Sequence, residues 1–89
     1  MLEKTVNIVN RLGLHARAAA KLVQTANMFS SEVTIEKDGV EVNGKSIMGL
    51  MMLAAAKGCH VVIRADGPDE GHAMEAVVRL ISDKFHEEA

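Results

Sequence analysis

The sequence predicts an α+β domain in which a four-stranded antiparallel sheet is covered on one side by three helices, in the order β-α-β-β-α-β-α. Four short segments alternate apolar and polar residues, which is typical of strands with one buried face. Three other segments repeat apolar residues at helical spacing. The split βαβ architecture is the nearest general arrangement. A chain of 89 residues has the size of one unit, so we assign residues 1–89 to a single domain.

The first predicted strand covers residues 5–9, where Val6 and Ile8 share one face. Residues 10–14 then form a turn around Gly13. A helix begins at Ala16, because from there the apolar period changes from two residues to that of a helix. One helical face carries Ala19, Leu22, Val23, Ala26 and Phe29.

Residues 30–45 predict a β-hairpin. Val33 and Ile35 alternate with polar residues, and Asp38-Gly39 is a tight-turn sequence. Val40 and Val42 begin the return strand, which Asn43-Gly44 ends.

The second half of the chain predicts a helix, a strand and a final helix. Ser46 begins a helix that we expect to end at Gly58, a residue typical of the position after a helix. Residues 60–66 form the fourth strand. Asp69 and Glu70 lie in the first turn of the last helix, where carboxylates are favourable for the helix dipole. Its apolar face carries Ala73, Val77, Leu80, Ile81 and Phe85, and we expect Glu87-Glu88 to be a solvated tail.

Composition argues against several classes of function. A net charge of −2 and only two aromatic residues indicate no nucleic-acid surface. Cys59 is the only cysteine, so no intrachain disulfide forms, which fits a cytoplasmic protein. No apolar run approaches about 18 residues, so we expect no membrane insertion. Cys59, His60, His72 and His86 lack the spacing of a zinc site, and we expect neither a metal nor another cofactor.

His15 and Arg17 lie where the first helix begins. A helix N-terminus presents unpaired N–H groups and partial positive charge, so it binds anions and disfavours protonation of an imidazole. A neutral ring keeps a lone pair for nucleophilic attack, and Arg17 offers a planar group suited to phosphate oxygens. No additional base or metal cluster accompanies His15 in the sequence. This combination favours temporary carriage of a phosphoryl group on His15 over its hydrolysis.

Ser46 and the residues after it form a second candidate site. Serine is among the best N-caps, so capping alone is one interpretation of Ser46. We expect Leu50, Leu53 and Ala54 to face the sheet. The opposite face of this helix would then expose apolar side chains suited to docking several partners: Ile47, Met48, Met51 and Met52.

Four stretches of the sequence resemble the HPr family, the histidine-containing phosphocarriers of the bacterial phosphoenolpyruvate-dependent phosphotransferase system. They are GLHARAAAKLV, the segment Phe29-Ser30-Ser31 after the first helix, KSIMGLMML and the turn at residues 67–70. The resemblance implies an open-faced sandwich of one four-stranded sheet and three helices. It also implies that His15 accepts phosphate from enzyme I on Nδ1 and passes it to a IIA domain, assisted by Arg17. Ser46 matches a serine that an HPr kinase/phosphorylase modifies in some bacteria.

One residue departs from the family pattern. The family usually has proline after the arginine, whereas this chain has Ala18. Proline sets the backbone angle of a first helical turn and lacks an N–H. Alanine therefore permits the helix but adds a free donor near the phosphate, and we expect it to tune transfer rather than abolish it.

Three alternatives to a sugar-uptake phosphocarrier remain. One is a nitrogen-type (NPr-like) phosphocarrier that serves a regulatory IIA domain. Another is a non-catalytic binding module, which would retain its function when His15 is replaced. A stand-alone enzyme is disfavoured because no second catalytic group accompanies His15. We expect a monomer.

Overall fold

The computed structural model describes residues 1–88 and has the predicted order of elements and fold class. The helices are α1 (Ala16–Ala26), α2 (Ile47–Met52) and α3 (Glu70–Ser82). The strands are β1 (Leu2–Asn7), β2 (Glu32–Lys37), β3 (Val40–Asn43) and β4 (His60–Asp66), and they lie in the spatial order β1-β4-β2-β3. All three strand pairs are antiparallel, as predicted.

The two faces of the sheet differ in chemistry, which explains why the helices cover only one of them. In β4, Val61, Ile63 and Ala65 are buried beneath the helices. On the other face, Arg64 forms ion pairs with Glu3, Glu36 and Glu41 at 2.7–2.8 Å. Charged groups paired in this way favour contact with water over contact with a second apolar layer.

Several element boundaries differ from the sequence-based prediction. Helix α1 ends at Ala26, so Phe29 lies beyond it and not, as predicted, on its apolar face. The first strand covers Leu2–Asn7 instead of residues 5–9, because its pairing with β4 extends from Leu2 opposite Ala65 to Asn7 opposite His60. Ile8 lies just after the strand and is still buried. The ends of an edge strand are set by its pairing with the neighbouring strand. The local apolar pattern carries no information about that pairing.

The second helix ends at Met52, six residues before Gly58, so the predicted end was wrong. Ala54 has a left-handed backbone (φ 50°) and is exposed, contrary to the expectation that it faces the sheet; Leu50 and Leu53 are buried as predicted. The Ala55 carbonyl accepts a hydrogen bond from the Leu14 N–H at 2.8 Å. This tertiary bond takes the carbonyl that a longer helix would use within itself.

The last helix ends at Ser82, and Phe85 lies beyond it. Residues Lys84–His86 form a 3-10 turn with left-handed backbone angles, and Phe85 is fully buried within it. Phe85 therefore reaches the core from a turn and not, as predicted, from a continued helix. None of the helices described for residues 1–88 is long and apolar enough to cross a membrane.

Asp69 precedes α3 and has a role that the sequence did not indicate. Its carboxylate does not cap the helix; it accepts hydrogen bonds from the Ser31 hydroxyl and from the Ser30 and Ser31 N–H groups. The Ser31 hydroxyl and then the Ser30 N–H lower the pKa of Asp69 from 3.8 to about 2. Asp69 thereby joins the start of α3 to the segment that leads into β2.

Candidate functional site

The turn before α1 is built so that its last residue becomes the N-cap of the helix. Gly13 has a left-handed backbone (φ 66°), and its carbonyl accepts a hydrogen bond from the buried Asn10 amide at 2.7 Å. Leu14 then bonds to Ala55 beside α2. His15 follows with extended backbone angles (φ −79°, ψ 178°) as the N-cap. The turn is therefore closed by the Asn10 side chain and tied by Leu14 to the segment after α2 before the helix begins.

The His15 ring lies partly buried at this helix end, with 27% of its side chain exposed. It makes no side-chain capping hydrogen bond to the helix. Ala19 is the first residue whose N–H bonds back to the His15 carbonyl, at 2.8 Å. The three N–H groups before it have no acceptor within the helix, as is general for a helix N-terminus. The ring and these donors thus occupy the same end of α1.

The Nε2 atom of His15 contacts the Oε2 atom of Glu87, a residue at the opposite end of the chain. The other carboxylate oxygen accepts a hydrogen bond from Asn10 Nδ2 at 3.0 Å. Burial raises the pKa of Glu87, but the hydrogen bonds from Asn10 and His15 outweigh this effect and lower it. The site therefore pairs the imidazole with an ionised carboxylate.

The expectation that Glu87-Glu88 is a solvated tail was wrong for Glu87, whose side chain is only 17% exposed, and Glu88 is exposed. Lys21 Nζ donates a hydrogen bond to the Phe85 carbonyl at 2.6 Å, which holds the end of the chain against α1. The signal available in the sequence was Phe85 itself. A large apolar residue two positions before the carboxylate indicates that this segment packs against the core.

Cationic side chains surround the His15 ring. An open cleft of about 710 Å³ includes the ring and is lined by Arg11, Arg17 and Lys21, together with Glu87 and Glu88. Arg17 is exposed on the first turn of α1, close in sequence to His15. Long cationic side chains in an open cleft can reach the oxygens of an incoming phosphoryl group.

Ala18, where the family pattern has proline, is fully buried. The N–H that alanine adds in place of proline is therefore covered by protein and not open to solvent. Ala18 and Ala19 both pack into the core, so the side chain at this position contributes to packing.

Ser46 is the N-cap of α2, and its hydroxyl oxygen accepts a hydrogen bond from the Gly49 N–H at 3.0 Å. This is the capping role that serine commonly has. Beyond it, α2 exposes four large apolar side chains that share the outer face of the helix. Their exposed fractions are 41% for Ile47, 80% for Met48, 47% for Met51 and 75% for Met52.

Among residues 1–88, no group of three or more histidine, cysteine or acidic side chains is arranged to hold a metal ion. Cys59 is partly buried and is not in a disulfide. The groups described around His15 are the imidazole itself, a carboxylate, cationic side chains and the backbone donors of the helix end.

Comparison with known proteins agrees with this arrangement. A family model described as the PTS HPr component phosphorylation site matches residues 2–83. The chain is 55% identical to the phosphocarrier protein HPr of Neisseria meningitidis over 87 residues, which cover 98% of both chains. It superposes on the crystal structure of HPr from Thermoanaerobacter tengcongensis with a TM-score of 0.96 and 52% identity, over the full length of both chains.

The relatives also include an HPr-like protein that forms a dimer. Crh from Bacillus subtilis is 45% identical, with a TM-score of 0.77 over 94% of this chain and 97% of that one, and its crystal structure is described as a dimer with a swapping domain. The expectation of a monomer therefore stays a prediction. The family match and the full-length relatives together establish that this chain belongs to the HPr family of phosphocarrier proteins of the phosphotransferase system.

Proposed function

We propose that His15 carries the phosphoryl group, accepting it on Nδ1 from phospho-enzyme I and passing it to a IIA domain. The observation that carries this assignment is the contact between Nε2 and Glu87. Because Nε2 is occupied by the carboxylate, Nδ1 is the ring nitrogen left to act as nucleophile. Arg17, on the adjacent first turn of α1, is the second residue of the proposed site.

The transfer is written as a single displacement at phosphorus. The Nδ1 lone pair forms a bond to phosphorus, while the bond between phosphorus and the donor atom of enzyme I breaks and its electrons remain on the donor. The phosphoryl oxygens then lie at the N-terminus of α1, where the Ala16 and Arg17 N–H groups favour negative charge. The Arg17 guanidinium binds the same oxygens during transfer. Transfer to a IIA domain reverses these steps with a different acceptor atom.

The experiment is intact-protein mass spectrometry after incubation with enzyme I and phosphoenolpyruvate. We expect one added phosphoryl group that is lost in acid, stable in base and absent from His15→Ala. His72→Ala is the matched control, because His72 is an exposed histidine on α3, and it should be phosphorylated like the wild type. Full phosphorylation of folded His15→Ala would refute the assignment.

We further propose that Ser46 is a regulatory phosphorylation site for a kinase of the HPr kinase/phosphorylase type. A phosphate on this N-cap is compatible with the helix, because a helix N-terminus favours negative charge. The phosphate would change the binding of partner proteins, because Ser46 adjoins the exposed apolar face of α2. Partner acidic groups at that position would be repelled.

The exposed face of α2 is the proposed docking surface for enzyme I and IIA domains. Methionine side chains adapt their shape to different partners, which suits a carrier that must bind a donor and several acceptors in turn. The residues assigned to this surface are Ile47, Met48, Met51 and Met52.

The acceptor belongs either to a sugar-uptake system or to a regulatory branch of the nitrogen type (NPr-like), and Ser46 in its KSIMGL context favours the first.

We propose that the protein acts in the cytoplasm as a monomer of one domain, residues 1–89. Light scattering during size-exclusion chromatography tests the monomer; a stable dimer would refute it.

A non-catalytic binding module is the second candidate, favoured only if His15→Ala retains full function in cells.

A further inference from the structure

The carboxylate of Glu87 contacts a ring nitrogen of His15 although 72 positions separate the two residues. An ionised carboxylate has only acceptor atoms, so the hydrogen between the two groups belongs to Nε2. In a neutral imidazole that carries its proton on Nε2, the lone pair lies on Nδ1. The contact therefore selects one of the two tautomers of the ring.

Asn10 keeps the carboxylate in place from the buried side. Its Nδ2 faces two acceptors, the Gly13 carbonyl at 2.7 Å and Glu87 Oε1 at 3.0 Å. The reversed amide would direct oxygen at oxygen in both contacts, so the orientation is determined even though Asn10 Oδ1 is buried without a partner among residues 1–88. Asn10 is fully buried, and its amide is therefore a fixed support.

The turn that carries Glu87 is held in a conformation that the backbone does not favour. Lys84, Phe85 and His86 all have left-handed angles (φ 54–64°), which are costly for residues with a Cβ. The burial of Phe85 and the hydrogen bond from Lys21 to its carbonyl hold this turn against α1. The fold thus accepts local strain in the same segment that brings Glu87 to His15.

We propose that Glu87 is a positioning residue for His15, holding the proton on Nε2 so that Nδ1 is the nucleophile. This inference rests on the proposed function of His15. When Nδ1 bonds to phosphorus, the ring gains positive charge, and the carboxylate beside Nε2–H stabilises it. When the phosphoryl group leaves, the electrons of the nitrogen–phosphorus bond return to Nδ1 and the ring is again neutral. The proton stays on Nε2 throughout.

The first test is nitrogen-15 NMR of the imidazole of the unphosphorylated full chain in mildly alkaline solution. In the wild type we expect a single tautomer of His15 with the proton on Nε2. Glu87→Gln should shift both ring nitrogens toward a mixture of tautomers, while Glu75→Gln, which changes an exposed glutamate of α3 outside the His15 cleft, should leave them in place. A wild-type proton on Nδ1, or a Glu87→Gln spectrum equal to that of the wild type, would overturn the proposal.

The second test is the rate of phosphorylation by enzyme I and phosphoenolpyruvate. Carboxylates that orient a metal-bound histidine typically contribute about 10-fold or more to activity. We expect an effect of the same order here, so Glu87→Gln should slow the reaction about 10-fold and Glu75→Gln should not. A wild-type rate in Glu87→Gln would overturn the role of Glu87. The NMR test needs no enzyme I, so a wild-type chain with the expected tautomer that accepts no phosphate would refute the function of His15 and not the contact.

Discussion

Replacing Gly13 with alanine tests whether the turn before His15 depends on a close backbone approach. A Cβ at Gly13 would lie 2.4 Å from the Ala55 carbonyl oxygen and 2.9 Å from Ala56 Cα, both backbone atoms that cannot rotate away. The same carbonyl accepts the hydrogen bond from Leu14. The substitution therefore forces apart the two segments that meet beside the candidate site.

Two costs contribute to the expected loss of stability. A left-handed backbone costs about 1–2 kcal/mol for a residue with a Cβ. Overpacking against the backbone at Ala55 adds about 1–3 kcal/mol. The middle of the combined range is about 3.5 kcal/mol, which lowers the Tm of a domain of this size by about 20 °C.

Gly39→Ala is the matched control for this measurement. Gly39 also has a left-handed backbone (φ 84°), but a Cβ there would meet no atom of the described part of the chain within 4 Å. The stability of Gly39→Ala should fall only by the backbone cost of about 1.5 kcal/mol, which lowers its Tm by about 9 °C. Thermal unfolding followed by circular dichroism compares the two variants. A Tm for Gly13→Ala no lower than that for Gly39→Ala would refute the close approach to Ala55.

Three further predictions concern Asp69, Ser46 and the docking surface. Because the pKa of Asp69 is about 2 in the folded protein and 3.8 without its hydrogen bonds, its contribution is complete above pH 4 and is lost as the pH falls through 2. The Tm of Asp69→Asn should accordingly be below that of the wild type at neutral pH and converge with it in thermal scans near pH 2; a constant difference would contradict this. Ser46→Asp should keep the cap and the Tm, yet slow phosphorylation of His15 about tenfold, equivalent to about 1.4 kcal/mol of repulsion; an unchanged rate would argue against a switch. Met48→Lys should change stability by less than about 0.5 kcal/mol but weaken binding to enzyme I in titration calorimetry, whereas Met28→Lys, at an equally exposed methionine outside α2, should not; equal effects would exclude α2 as the docking surface.

The organisation of the site explains how so small a fold can carry a reactive group. The helix end supplies the backbone donors, and the residues next to it supply the imidazole and the guanidinium. The ring of His15, the proposed acceptor of the phosphoryl group, is 27% exposed, so a partner would reach it without opening a cavity. A carrier must be reached by donor and acceptor in turn, and an open cleft at a helix end permits this.

Most of the fold was predictable because its patterns are local. In β2 and β4 apolar and polar residues alternate, and in α1 apolar residues recur at helical spacing. These patterns indicate which side chains share one face of each element, and they are visible directly in the sequence. The same is true of His15 and Ser46 as residues that begin helices. Their positions follow from the change of apolar period immediately after them.

Tertiary structure decided the features that depend on contacts between distant segments. Helix α2 ends before Ala55, whose carbonyl bonds to Leu14, and the left-handed turn at Lys84–His86 accompanies the burial of Phe85 in the core. The contact of Glu87 with His15 depends on the segment after α3 packing against α1 and the turn before it, where Asn10 and Lys21 hold it. By itself, the sequence determined the elements, the family and the candidate nucleophile, since short-range periodicity and motifs specify them. The carboxylate partner of His15 emerged only from the folded chain, because no local pattern records which residues 72 positions apart will meet.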